Sequence, residues 1–339
     1  MPTIESLHTH TTLSDGKLTH REMFDLAESL NVSVIAFTDH DAVPPQKILD
    51  ELDVLRDRTT KWVLGIELTT GLPQELAPDS STLHMIGLFV DPKNEELIKH
   101  CDLAQVARVK RMKKMVGKLQ ELGFIITEEE CLEASGGESV GRPHIVEALK
   151  RHTENNTIIE KLRKKMQEAG ENDTLIRERY DLMMQKGEAS YSYSLFLTPD
   201  AFKSAYFEND YMPTLDEGVA LIRNAGGVAL IAHYCYIRNK MPLTILEKLL
   251  AENRIDGVEV VYGMREYGTD REDSIEEERE ILRAMAKKYG AITGGGSDAH
   301  SKEDLELYAE RTWFSGETNG FTEKILTTGK VYKKFSSFV

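Results

Sequence analysis

Apolar runs and amphipathic stretches alternate along the first ninety residues. "TIESLH" (3–8) reads as a strand. "LTHREMFDLAESLN" (18–31) reads as a helix, because Thr19 and Glu22 have capping-box spacing and Leu26, Ala27 and Leu30 share one face. The β-branched run in "VSVIAFTDHD" (32–41) predicts a buried strand, "QKILDELDVLRD" (46–57) a second helix and "WVLGIELTT" (62–70) a third strand. Only residues 70–81, with Gly and Pro, separate this strand from "TLHMIGLFV" (82–90). That gap is too short for a helical crossover, so strands three and four are expected to form a hairpin.

From about Pro92 the pattern changes. Residues 94–123 predict one long charged helix, and helical sequence rich in Lys, Glu and Met continues to about 190. The alternation resumes near Pro213: "LDEGVALIRNAGG" (215–227) is a helix closed by glycines, followed by the strands "VALIAHY", "DGVEVVY" and "GAITGGGSDAH". The pattern predicts an α/β domain from residues 1–94 and 213–339, interrupted by a mainly helical insertion, 95–212.

Composition narrows the partners. A net charge of −15 argues against a surface that wraps long nucleic acid, but not against a small anionic substrate held through bound cations. The three cysteines form no CxxC pair, and no apolar run reaches the roughly 20 residues needed to span a bilayer. A cytoplasmic protein with no membrane partner is expected; the oligomeric state is left open.

Polar residues recur where the strand-like runs end. His8 and His10, with Asp15 beyond, follow the first; Asp39, His40 and Asp41 the second; Glu67 the third. His84 begins the fourth, His233 closes the fifth, and Asp298 and His300 follow the last. In α/β barrels active sites are built at that end of the sheet. Any one of these residues is ordinary, but the set would strand many buried ionisable groups without a shared task. Imidazole and carboxylate without thiolate suit Zn, Mn, Fe or Co, and the number of ligands implies two or three ions with a carboxylate such as Glu67 bridging. Such a cluster holds an attacking hydroxide and offsets charge on a phosphoryl group.

The segments "HTHTTLSDG", "AFTDHD", "GIE", "LHMIGL", "LIAH" and "GSDAH", in this order, resemble the polymerase and histidinol phosphatase (PHP) family of the amidohydrolase superfamily. The resemblance implies a distorted (β/α)7 barrel with a helical insertion domain as a substrate cap, and two or three divalent metal ions (Mn, Zn or Fe). It implies one ion held by His8, His10, Glu67 and Asp298, a second by Glu67, His84 and His233, and a third by Asp15, His40 and His300. Glu67, Asp298 and His300 would carry catalytic roles, with His300 and His144 as candidates for protonating the leaving oxygen. Asp39 and Asp41 would orient imidazoles or simply form the turn after their strand.

"VGRPHIVEAL" (140–149) resembles the "GRPH" segment of family members acting on nucleotides and related small phosphoesters. There Arg142 would make a forked phosphate contact and His144 a further one. His20 is read either as a substrate contact or as an exposed residue at a helix start. The run "ARVKRMKKMVGK" (107–118) reads as a solvated helix face, or else as a patch steering phosphates. The expected activity is metal-dependent hydrolysis of small phosphate monoesters or cyclic diesters, nucleotides foremost. The alternatives are an exonuclease on short RNA or DNA oligonucleotides, and a non-catalytic protein that binds metal or a phosphorylated ligand.

Overall fold

Seven strands pair in chain order into one sheet: β1 Ile4–Ser6, β2 Val32–Phe37, β3 Lys61–Gly71, β4 Thr82–Leu88, β5 Val228–Ile231, β6 Gly257–Val261 and β7 Ile292–Gly295. The structure is a computed structural model that describes residues 4–76, 82–136, 139–263, 272–310, 318 and 320–338. It divides into two units, residues Met1–Ala104 with Met212–Val339, and Gln105–Tyr211.

In the first unit, β1, β2 and β3 are mutually parallel, as are β5, β6 and β7, while β4 runs antiparallel to both neighbours. The expected hairpin is present: β3 and β4 pair Glu67 with Ile86 and Thr69 with His84. Residues 77–81 of its connection lie outside the described residues. Because β4 runs backwards, its beginning lies beside the ends of its neighbours, which is why His84 meets residues that follow other strands. Past β1 and β7 the chain goes on pairing. Leu7 N–H donates to Gly295 O, Asp298 N–H to His8 O and His10 N–H to Ala299 O, each at 2.9 Å. These bonds join the segments that follow the first and last strands, as the expected distorted barrel requires. The strands are buried on both faces, which explains their near-continuous apolar runs.

Helix His20–Ser29 starts at the expected box, with Glu22 N–H donating to Thr19 Oγ1 (3.2 Å) and Thr19 N–H to Glu22 Oε2 (2.9 Å). The face it buries is Met23, Phe24 and Ala27, with Leu26 and Leu30 at the margin rather than at its centre. The Gln105–Tyr211 unit has no strand among its described residues and a core of its own, including Met112, Met115, Leu119, Phe124, Ile145 and Phe196. No helix among the described residues is long and apolar enough to cross a membrane.

Candidate metal centre

Glu67 sits at the focus of the polar residues. It is 1% exposed, and five histidines reach it. Its Oε2 is 3.3 Å from His8 Nε2, 3.1 Å from His10 Nε2 and 3.1 Å from His40 Nδ1. Its Oε1 is 2.9 Å from His84 Nδ1 and 3.0 Å from His233 Nε2. Asp298 Oδ1 approaches His8 Nε2 (3.2 Å) and His10 Nε2 (3.1 Å). Asp15 lies 3.4 Å from His300 Nε2, 3.7 Å from His10 Nδ1 and 3.9 Å from His40 Nε2.

Three groups of donor atoms each fit within 4.8 Å: His8, His10, Glu67 and Asp298; His10, Asp15, His40 and His300; and His40, Glu67 and His84. His233 adjoins the last, its Nε2 3.3 Å from His84 Nδ1. The groups share residues: both nitrogens of His10, and both of His40, face different carboxylates. The Nε2 atoms of His8 and His10 stand 3.2 Å apart, turned toward the same two carboxylates. Imidazole lone pairs converging in this way suit a cation with nitrogen and oxygen ligands, so the residues present fit a divalent ion.

Electrostatics fit the same reading. Burial alone would raise the carboxyls of Glu67, Asp15 and Asp298, yet the surrounding imidazoles hold all three well below the usual range. Burial would lower His8, His10, His233 and His300. For His8 the carboxylates of Glu259, Asp298 and Glu67 overcome it, and hydrogen bonds to Asp298 and Glu67 lift His10 to about 10. Glu67 raises His233, and Asp15 and Asp298 raise His300. At His40 burial wins, pushing it down to about 3.

The backbone is bent to aim these groups. Asp41, His233 and Asp298 have φ of 46°, 25° and 50°, a region that costs an L-residue roughly 1–2 kcal/mol. Each is pinned through its own N–H: Asp41 to Glu67 O (3.0 Å), Asp298 to His8 O (2.9 Å) and His233 to Glu259 Oε2 (2.8 Å). Asp39 accepts from Thr11 N–H (2.7 Å), Thr11 Oγ1 (2.9 Å) and Ser14 Oγ (2.7 Å), fixing the loop between His10 and Asp15. Asp41 accepts from Thr69 N–H and Thr69 Oγ1, both at 2.8 Å. These aspartates thus grip the segments that carry candidate ligands.

His20 is not an exposed helix-start residue. It is buried against Phe37, with Nδ1 3.2 Å from Thr11 Oγ1 and Nε2 3.5 Å from Asp39 Oδ2. Glu259 is a site residue that sequence reasoning missed. Its only signal is an acid set among the valines of the strand "GVEVV".

In the Gln105–Tyr211 unit, Arg142 opens helix Arg142–Lys150, its guanidinium 5.8 Å from the ring centres of both Tyr193 and Tyr206. His144 Nδ1 accepts the Gly141 N–H at 2.8 Å. The basic run is not a uniform solvated face. Arg108 is buried, and burial together with Arg108 and Arg142 pushes Arg111 down to about 10. Lys114 is paired with Asp210 (2.9 Å) and Lys118 with Glu121 (2.6 Å).

A family model described as PHP domain matches residues 6–312. The 3',5'-nucleoside bisphosphate phosphatase of Chromobacterium violaceum is 25% identical over 312 residues, 91% of this chain and 94% of that protein. The 5'-3' exoribonuclease of Haemophilus influenzae is 26% identical over 299 residues, 87% and 89% of the two chains. A solved structure from Bifidobacterium adolescentis, described provisionally as a metal-dependent phosphoesterase, matches with a TM-score of 0.65 over 96% of each chain at 22% identity, a likeness of fold alone.

Proposed function

The chain belongs to the PHP domain family, and from that premise we propose that it is a metal-dependent hydrolase of small phosphoesters, nucleotide-like monoesters or cyclic diesters. Two or three divalent ions, of the Mn, Zn or Fe class, would be held by His8, His10, Asp15, His40, Glu67, His84, His233, Asp298 and His300. The observation that carries this reading is the convergence of five imidazoles on the buried carboxylate of Glu67. Ions bound there supply Lewis-acid charge to phosphoryl oxygens and water of lowered pKa.

The residues themselves position and move protons. Glu67, kept ionised by its imidazoles, divides its two oxygens between the His8–His10 side and the His84–His233 side. Asp298 bonds the first side only. The His300 side chain is 28% exposed, and its Nδ1 lies 2.9 Å from the Asp298 carbonyl oxygen. That contact places the proton on Nδ1 and leaves Nε2 facing Asp15. Where the Asp15 group holds no ion, the raised His300 carries a second proton on Nε2, which it can give to the leaving oxygen while Nδ1–H stays on the Asp298 carbonyl. Arg142 and His144 are assigned to phosphate oxygens of the substrate, and Arg142→Ala is expected to raise KM about 10–100-fold with little change in kcat. His20 acts through Thr11 and Asp39, as a positioning residue.

The test is manganese-reconstituted protein against mononucleotides, nucleoside bisphosphates, cyclic phosphates and short oligonucleotides, with His8→Ala as the blank. Turnover of a small ester, absent from the blank, is expected; silence across the panel would overturn the enzymatic reading and leave metal or phospho-ligand binding. A second reading, exonuclease action on short RNA, is favoured by the likeness to the Haemophilus influenzae exoribonuclease. It requires oligonucleotides to be cleaved faster than mononucleotides, with rates falling steeply in salt.

A further inference from the structure

We infer that Glu259 is a positioning residue for two candidate metal ligands at once: it fixes the proton of His8 on Nδ1 and holds the bent backbone of His233. The inference rests on the metal-centre reading above and adds a residue to it. Glu259 lies in β6 among Val258, Val260 and Val261 and is 1% exposed. A carboxylate buried there is costly unless it is fully partnered.

Its partners all belong to the centre. Oε1 and Oε2 lie 3.1 and 3.3 Å from His8 Nδ1, and Oε2 accepts the His233 N–H at 2.8 Å. An ionised carboxylate only accepts, so the ring proton of a neutral His8 must sit on Nδ1. The lone pair of Nε2 then points where Glu67 and Asp298 converge, 3.3 and 3.2 Å away. His233 is held at φ 25°, ψ 63°, and the bond from its N–H to Glu259 is what anchors that conformation on the β6 side. The two imidazoles stand nearly parallel, with ring centres 5.9 Å apart, on either side of Glu67. One carboxylate therefore sets the orientation of a ligand in the His8–His10 group and of one beside His84.

Glu259→Gln isolates this role, because it keeps the shape of the side chain while leaving one acceptor oxygen for two donors. Either the His8 ring or the His233 N–H then faces an amide N–H2 group. Two measurements are made on the full chain. Manganese binding is titrated by the electron-spin resonance of free Mn2+, and the His8 tautomer is read from long-range 15N–1H correlations in metal-free protein at a pH alkaline enough for the ring to be neutral. In Glu259→Gln we expect manganese affinity to fall about 10–100-fold, kcat to recover in excess manganese, and the His8 proton to leave Nδ1 in part of the population. Glu259→Asp, which keeps both acceptors on a shorter arm, should fall between wild type and Gln, and it carries the same test if the Gln variant does not fold. Wild-type affinity with an unchanged His8 tautomer in either folded variant would overturn the proposal. If the wild-type chain itself binds no manganese, the metal-centre reading fails, and the tautomer alone decides whether Glu259 orients His8.

Discussion

Gly296 makes the closest approach in the barrel closure, and replacing it tests how finely the centre is set. A Cβ built there lies 2.3 Å from His8 N, 2.7 Å from His8 Cβ and 2.9 Å from His8 Cα, where ordinary contact begins at 3.4 Å. In Gly296→Ala the backbone at His8 must therefore retreat by about 1 Å, a displacement that typically costs on the order of 100-fold in rate. Neither side can yield freely. Gly296 N–H is bonded to Val261 O at 3.0 Å, and the closure bonds of Leu7 and Asp298 lie on either side. The strain should remove about 1–3 kcal/mol of stability, with Tm falling roughly 2–4 °C for each kcal/mol. The assay is kcat/KM with manganese, manganese affinity and thermal denaturation on one preparation. Gly117→Ala is the control. Gly117 is exposed in helix Glu95–Glu121 with nothing within 4 Å of an added Cβ, so alanine should stabilise by about 0.4–1 kcal/mol and leave turnover unchanged. Wild-type kcat/KM and metal affinity in Gly296→Ala would refute the reasoning, as would equal damage in the control.

Glu67→Gln removes the charge that two donor groups share, so metal analysis should show loss of at least one ion per chain and kcat/KM should fall by about 10³-fold or more; full metal content would contradict the central place given to Glu67. Metal binding should release protons at neutral pH, because His10 titrates near 10 in the metal-free chain and a ligand must be neutral. Calorimetry in buffers of different ionisation enthalpy reads this directly, affinity should rise with pH, and proton uptake would be the wrong sign. The metal-free fold is expected to be most stable between two limits. The contribution of raised His10 is full below about 6.5 and is lost as pH rises through about 10. The contributions of depressed Glu67, Asp15 and Asp298 are present above about 4 and are lost as pH falls further. Asp39→Ala leaves Thr11 N–H, Thr11 Oγ1 and Ser14 Oγ without their acceptor, so chemical denaturation should show a loss of about 1 kcal/mol or more for each.

The strands were legible where β-branched residues run together, as in Val32–Phe37, and the β3–β4 hairpin followed from a connection too short to cross over. The antiparallel pairing of β4 with β5 had no local signal, because residues 89–227 intervene and their pattern says nothing of strand direction. The polar ends of the strands announced themselves as His and Asp beside apolar runs. Glu259 did not, since one acid inside a strand looks like the alternation of a half-exposed edge. His20 looked exposed because it adjoins a capping threonine, and its burial depends on Phe37 at the end of β2. Arg108 shares the helical stripe of Met112, Met115 and Leu119, a periodicity that charge alone concealed.

The proton count of the metal centre bears on how it is loaded. Four imidazoles, those of His8, His10, His233 and His300, hold their protons more tightly than usual and stand among the three acidic side chains of Glu67, Asp15 and Asp298. Protons thus offset the acidic charge of the metal-free centre, and an ion that enters it must displace them. The ion the finished protein carries is then chosen by whichever metal best competes with protons where the chain resides.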